Sequence, residues 1–430
     1  MAVDLTKASG NGNEQQAVLP RLSLMMFLEF FVWGSWFVTI GVYLTKGVGF
    51  PEGMGTAYGV GPLAAIASPL LLGLFADRYL PTQVALGICH LLGAGLLWFL
   101  PQAIAMEQGG GGSYFWWTLF GYMLLYMPTL GLTNTLALSH IRNSERDFPV
   151  VRVFGTIGWI VAGLVVGTIF TADATTLPFK IGAISSVVLG IYSFTLPHTP
   201  PPLRGKKVSA AEALGLGALR LFKSWHFAVF AVVSVLLCIP LQAYYAYAAT
   251  YVQEAGFESG AGIMIWGQVS EIVFMLLIPF FFRRLGVKVM LAIGMACWAL
   301  RYGLFAIAAP EEVKWMIVGG ILLHGICYDF FFVTGQIYTD RKAPKAIRGQ
   351  AQGLLVVLTQ GIGMWLGAYL NQHYFLDTVA TKQAELAETG ARDPGLWADF
   401  WWMPAMLALG ILVLFVILFK TEKAGEEELA

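Results

Sequence analysis

Charge is scarce in this chain. Only 12% of its 430 residues are charged, and 26 Lys and Arg balance 26 Asp and Glu to a net charge of zero. That is too little charge for the surface of an ordinary soluble globule. Cysteine is scarce as well: Cys89, Cys238, Cys297 and Cys327 all fall in apolar runs without metal-ligand spacing. This excludes a disulfide framework and a metal site, and leaves small buried hydrophobes. No nucleophile–base set is visible, and the tails are short and polar, which leaves little room for an enzyme or sensor on a membrane scaffold. No catalytic residue, no cofactor beyond a proton gradient and no nucleic-acid partner is expected. No cleavable signal peptide is expected either, because the first apolar run follows Leu19-Pro20-Arg21 and is too long for a signal core.

Apolar sequence fills the chain instead, with 57% hydrophobic residues and a mean hydropathy of +0.69. A spanning helix needs about 20 predominantly apolar residues. Twelve such runs lie near 22–45, 57–77, 83–101, 114–139, 150–171, 179–197, 226–252, 261–282, 287–309, 314–339, 349–374 and 399–420. The fold class expected is therefore an all-α polytopic membrane protein of twelve transmembrane helices, with the lipid bilayer as its solvent. Basic residues gather in alternate connections: Arg78; Arg142 and Arg146; Arg204 to Lys223; Arg283, Arg284 and Lys288; Arg341 to Arg348; then Lys420 and Lys423. By the positive-inside rule both termini are cytoplasmic, which an even number of spans allows.

The longest charged, Pro-containing connection divides the chain into halves. The expected organisation is a tail at 1–21, six spans at 22–197, a cytoplasmic linker at 198–224, six spans at 225–420 and a tail at 421–430. A loop recurs after the second span of each half, GLFADRYLPTQ at 73–83 and PFFFRRLGVKV at 279–289. Its candidate conformational residues are Asp77, Arg78, Arg283 and Arg284. This arrangement resembles the major facilitator superfamily, whose substrate site lies near the midplane between two halves. A solvated turn with a helix-end charge pair is the simpler reading of the same loops.

Polar residues inside the spans are few, and an ionised one at the bilayer centre costs roughly 3 kcal/mol or more. They are Glu29, Arg152, Gln242, Gln268, Glu271, Arg301, His324 and Asp329. Such groups are functional candidates and usually face a cavity or one another. Arg152, Thr156 and Trp159 stand at i, i+4 and i+7, one helical face. Gln242 with Tyr245, Gln268 with Glu271, and His324 with Tyr328 each share a stripe. Carboxylates, amides and aromatic faces together suit a neutral ligand with hydroxyls and a planar ring. Other readings stand beside these. Arg152 can snorkel to headgroups, Asp329 and Glu271 can form a structural network with Arg152 or Arg301, and Arg301 reads as structural. Trp33 and Trp36 can pack or form an interface belt.

Longer motifs are more specific. FLEFFVWGSW at 27–36, YMPTLGLTNT at 126–135, FPVVRVFGTIGW at 148–159, TLPH at 195–198 and LFK at 221–223 resemble those of the nucleoside:proton symporters. QVSEIVFMLLIPFF at 268–281, GICYDFFFVTGQIY at 325–338 and RGQAQGLL at 348–355 extend the resemblance over nearly the whole chain. It implies proton-driven nucleoside uptake by alternating access across a bacterial inner membrane; separately, a monomer is expected. The family's binding positions fall on Arg152, Thr156, Gln242, Gln268, Glu271 and Asp329 unchanged. Trp159 stands where phenylalanine is expected, Tyr245 where asparagine is, His324 where tyrosine is, and Tyr328 replaces another aromatic. Asp329 and Glu271 are the candidates for carrying the proton. The altered rim keeps open a same-fold symporter for a sugar or other polyol-like glycoside.

Overall fold

The computed structural model describes residues 12–71, 79–110, 112–141, 144–201, 216–344 and 347–420. Asp77, Arg78, Arg142, Lys345, residues 202–215 of the linker and the 421–430 tail lie outside the described residues. Among the described residues the regular elements are all helices, as an apolar solvent requires of a chain that forms no closed barrel. Each expected run falls mainly on helix where it is described, with non-helical residues including 37–39, 170–171, 194–197 and 419–420.

The count of twelve crossings is not reached by length and composition, which give eight stretches able to span a membrane among the described residues. One of the four missing crossings is lost at Gly260–Ala308, where two helices covering the eighth and ninth expected runs follow each other without a gap, 49 residues in all. A straight rod of that length would be more than twice the bilayer's hydrocarbon thickness of about 30 Å. It is not straight, because Gly286 (φ 71°, ψ 174°) interrupts it between the two runs. Leu177–Ser193 also falls short of the length, at 17 residues.

Helices before the linker pack mainly on one another, Gly12–Trp36 along Ser144–Gly163 and Thr82–Gln108 between Tyr114–His140 and Leu177–Ser193. Those after it do likewise, Gly260–Ala308 against Leu396–Leu418 and Trp225–Glu254 against Met364–Phe375. Small residues set the two approaches that matter for the site. A methyl at Gly158 would strike the Phe27 carbonyl, and one at Gly325 would strike the Ser270 backbone. Outward-facing Leu276, Leu300 and Ile417 are exposed, the surface expected against lipid.

At the end of the bundle away from the linker, two hydrogen-bonded links join early helices to late ones. Gln372 Nε2 donates to the carbonyls of Pro51 and Glu52, each at 3.2 Å. Asp173, in the turn before Leu177–Ser193, is buried and accepts from Ser259 Oγ at 3.0 Å and from the Ala261 N–H at 3.1 Å. Ser259 in turn caps the helix that follows, accepting from the Gly262 N–H at 2.8 Å. The carboxylate thus seals a helix start contributed by the other group of helices.

Candidate functional site

Two adjoining cavities lie between the early and late helices. The larger, about 510 Å³, runs along Tyr58, Pro62, Met127, Gly131 and Asn134 toward the end that carries the linker. That volume falls within the range of small-molecule sites, about 300–1,000 Å³. The smaller, about 150 Å³, continues inward from it. Phe30, Trp33, Phe37, Arg152, Tyr328, Gln360 and Met364 line both.

Most of the residues singled out by spacing meet in the smaller cavity. Arg152, Thr156 and Trp159 present one face of Ser144–Gly163, and Gly155 and Gly158 on the adjoining face let the first helix approach at Phe30 and Phe27. Across the space stand Tyr245, Gln268, Glu271, His324 and Tyr328 from three later helices. Gln242 lines only the larger cavity, where its Nε2 donates to the Tyr58 carbonyl at 3.4 Å and its Oε1 is unpartnered among the described residues.

Asp329 stands apart. It lines neither cavity, is fully buried, and neither carboxylate oxygen has a hydrogen-bond partner among the described residues. The expectation that it faces a water-filled space is corrected to this extent. The reason is local: the tenth run is not one regular helix but breaks into Lys314–Leu322, His324–Tyr328, a π-helical turn Asp329–Val333 and Thr334–Lys342. Tyr328 takes the cavity wall, and the next residue begins the widened turn. Such π turns are frequent at functional sites.

Aromatic rings furnish the walls. Trp159 meets Trp33 edge to face at 5.5 Å, and Phe37 meets both Trp159 and Tyr245, at 6.1 and 6.2 Å. The Arg152 guanidinium lies 4.2 Å over the ring of Phe30. That contact turns Arg152 inward along the cavity and argues against snorkelling. Glu271 has a basic neighbour in His324, whose Nε2 lies 3.8 Å from its Oε2. His324 Nδ1 is 3.2 Å from Nη1 of the buried Arg301.

Sequence reasoning missed Phe30, Phe37, Gln360 and Met364. Phe30, Trp33 and Phe37 repeat at i, i+3 and i+7 around WGSW, a face that period alone cannot separate from ordinary packing. Gln360 had a plainer signal, an amide inside the apolar run 349–374, and it sits in the π-helical turn Val357–Gly363. Arg283 and Arg284 stay on their own helix, Arg283 donating to the Pro279 carbonyl at 3.2 Å and Arg284 lying 4.1 Å over Phe280. Asp77 and Arg78, their counterparts, lie outside the described residues.

Three comparisons bear on this arrangement. The family described as Nucleoside H+ symporter matches residues 17–424. A putative nucleoside transporter of Escherichia coli, YegT, is 39% identical over 93% of both chains. The xanthosine permease of the same organism is 29% identical over 94% of this chain and 96% of that one. A crystal structure of a mutant form of the nucleoside transporter NupG superposes with a TM-score of 0.82 at 29% identity, covering 94% of this chain and all of that one. A peptide transporter, POT, shares the fold at a TM-score of 0.71 with 15% identity.

Proposed function

We propose, from the premise that the chain belongs to the nucleoside:proton symporter family, that its cavity binds one nucleoside and carries it inward with protons by alternating access. The protein is a membrane transporter of the major facilitator fold and not an enzyme. In this reading residues 22–197 and 225–420 rock as two halves about the linker at 198–224. Both termini are cytoplasmic, the membrane is a bacterial inner membrane and the monomer is the working unit. The open end of the cavity then faces the cytoplasm, and the links at Asp173 and Gln372 close the outer side.

The observation that carries the reading is the make-up of the inner cavity. Trp159, Tyr245 and Tyr328 offer faces for a planar base, while Glu271, Gln268, Thr156 and Arg152 offer acceptors and donors for its edge and for ribose hydroxyls. Arg152, Thr156 and Trp159 come from one half and the others from the second, so a ligand touching both holds them together, as alternating access requires. Asp329 or Glu271 carries the coupling proton, loading it on the outside and releasing it inside. Asp77, Arg78, Arg283 and Arg284 hold the cytoplasmic loops when that side is closed, and Asp77→Ala is expected to slow turnover more than it weakens binding.

Calorimetric titration of the purified protein with nucleosides and sugars tests the substrate, with uptake driven by an imposed proton gradient alongside. Binding and accumulation of nucleosides are expected. Binding of sugars or glycosides without nucleosides would replace the substrate class and keep the mechanism.

A further inference from the structure

We propose that Arg301 is a positioning residue that fixes the tautomer of His324, so that His324 and Glu271 together hold a single hydroxyl of the ligand. The inference rests on the nucleoside reading of the cavity. It starts from a donor count. A guanidinium only donates, so at 3.2 Å from Arg301 Nη1 the Nδ1 of His324 must accept, and the imidazole proton sits on Nε2. That N–H faces the Glu271 carboxylate, with Nε2 and Oε2 3.8 Å apart.

This separation is too long for a direct hydrogen bond. It is the span that one oxygen can bridge, lying about 2.8 Å from each atom. A hydroxyl fits both partners, accepting from Nε2–H and donating to the carboxylate, and a ligand hydroxyl there takes the place a water can fill. In the other tautomer Nε2 would turn a lone pair toward the carboxylate, and one hydroxyl hydrogen cannot serve two acceptors. The hydroxyl would then lose one of its two bonds.

The fixing device is rigid. Arg301 lies 4.2 Å over the ring of Tyr244, and Tyr244 stacks on the His324 ring at 5.1 Å and 17°. All three side chains are buried, His324 and Tyr244 at 1% exposure and Arg301 at 0%. Glu271 and Arg301 belong to Gly260–Ala308 on opposite sides of the break at Gly286. The chain reversal there brings both to His324 from the two sides of its ring.

The test measures uridine and adenosine, each with its 2′-, 3′- and 5′-deoxy analogues, as competitors for uptake and as titrants of purified protein. Wild type is expected to bind the parent nucleoside at least about tenfold more tightly than one of the three analogues. Arg301→Met should compress that preference to under about threefold while binding of the analogue changes little. A merely structural arginine would weaken parent and analogue alike. His324→Gln offers an amide donor near the Nε2 position and has no tautomer to misplace, so it should keep the preference with or without Arg301→Met. If Arg301→Met does not reach the membrane, His324→Phe decides, since it removes the donor with Arg301 in place and should abolish the preference. Full preference in Arg301→Met or in His324→Phe overturns the proposal, as does its absence from wild type. A wild type that binds no nucleoside at all would overturn the substrate reading and this inference with it, whereas normal nucleoside binding with an unmoved preference overturns this inference alone and leaves the substrate reading standing.

Discussion

Glu29 and Glu271 are both glutamates within membrane helices, each beside a histidine, yet their surroundings differ in kind. Glu29 accepts from Thr129 Oγ1 at 2.6 Å through one oxygen and lies 2.9 Å from His90 Nε2 through the other. His90 is held in turn at 3.0 Å by Ser186, and the Glu29 carbonyl accepts from the Tyr126 hydroxyl at 2.8 Å. The cluster is complete, fully buried and away from both cavities. Glu271 has its histidine 3.8 Å away, beyond bonding distance, and nearby Asp329 has no partner for either oxygen among the described residues. A satisfied buried acid is a structural tie. An unsatisfied one in the same solvent is costly, and is kept where a ligand or a proton completes it.

The sharpest way to break this contrast is to neutralise the acids. Asp329→Asn and Glu271→Gln are each expected to abolish proton-driven accumulation in vesicles while leaving the protein inserted, whereas Glu29→Gln should still accumulate substrate. Wild-type accumulation in either of the first two would take that residue out of the coupling. The same contrast should invert when stability is read. Glu29→Ala strands His90 in the packed interior and is expected to cost about 3–5 kcal/mol, seen as a lower midpoint of thermal unfolding in detergent. Asp329→Asn should lower that midpoint little or raise it.

Affinity gives the next effect in size. Removing one hydrogen-bonding partner from the cavity costs about 1–3 kcal/mol, so Gln268→Ala and Arg152→Ala should each weaken nucleoside binding at least about tenfold. Calorimetry on the two variants checks this, and unchanged affinity in both would put the ligand elsewhere.

The smallest effect concerns the sealed end. Burial pushes the Asp173 carboxyl above the usual carboxylate range, with hydrogen bonds from Ala261 and Ser259 pulling it partly back. The sealed conformation therefore binds a proton more tightly than an opened one with Asp173 hydrated. Its extra stability is full below the ordinary carboxylate pKa of about 3.9 and is lost as pH rises through the raised value. Acidification should thus favour the sealed state modestly, and Asp173→Asn, which still accepts but does not titrate, should remove that dependence. Distances between spin labels in the 170–176 and 255–259 turns across an acidic pH series provide the readout.

Most of the site was legible because a polar residue in an apolar run is conspicuous. Arg152, Gln268, Glu271 and His324 announce themselves by their cost in hydrocarbon. The aromatic wall from Phe30 to Phe37 did not, since Phe and Trp are as much at home against lipid as against a ligand. Nor could composition separate Glu29 from Glu271, because the difference lies in whether Thr129, His90 and Ser186 arrive from distant parts of the chain.

By itself the sequence determined a helical membrane protein, its family and the polar residues able to do chemistry, because long apolar runs and the expense of charge in hydrocarbon are local properties of a chain. Only the tertiary structure decided which acids are satisfied, and that a π-helical turn takes Asp329 off the cavity wall while Tyr328 stays on it. Those outcomes depend on which helices approach one another and on the rotation of each, to within a single residue of helical turn. Period and composition do not encode that rotation, and close packing does.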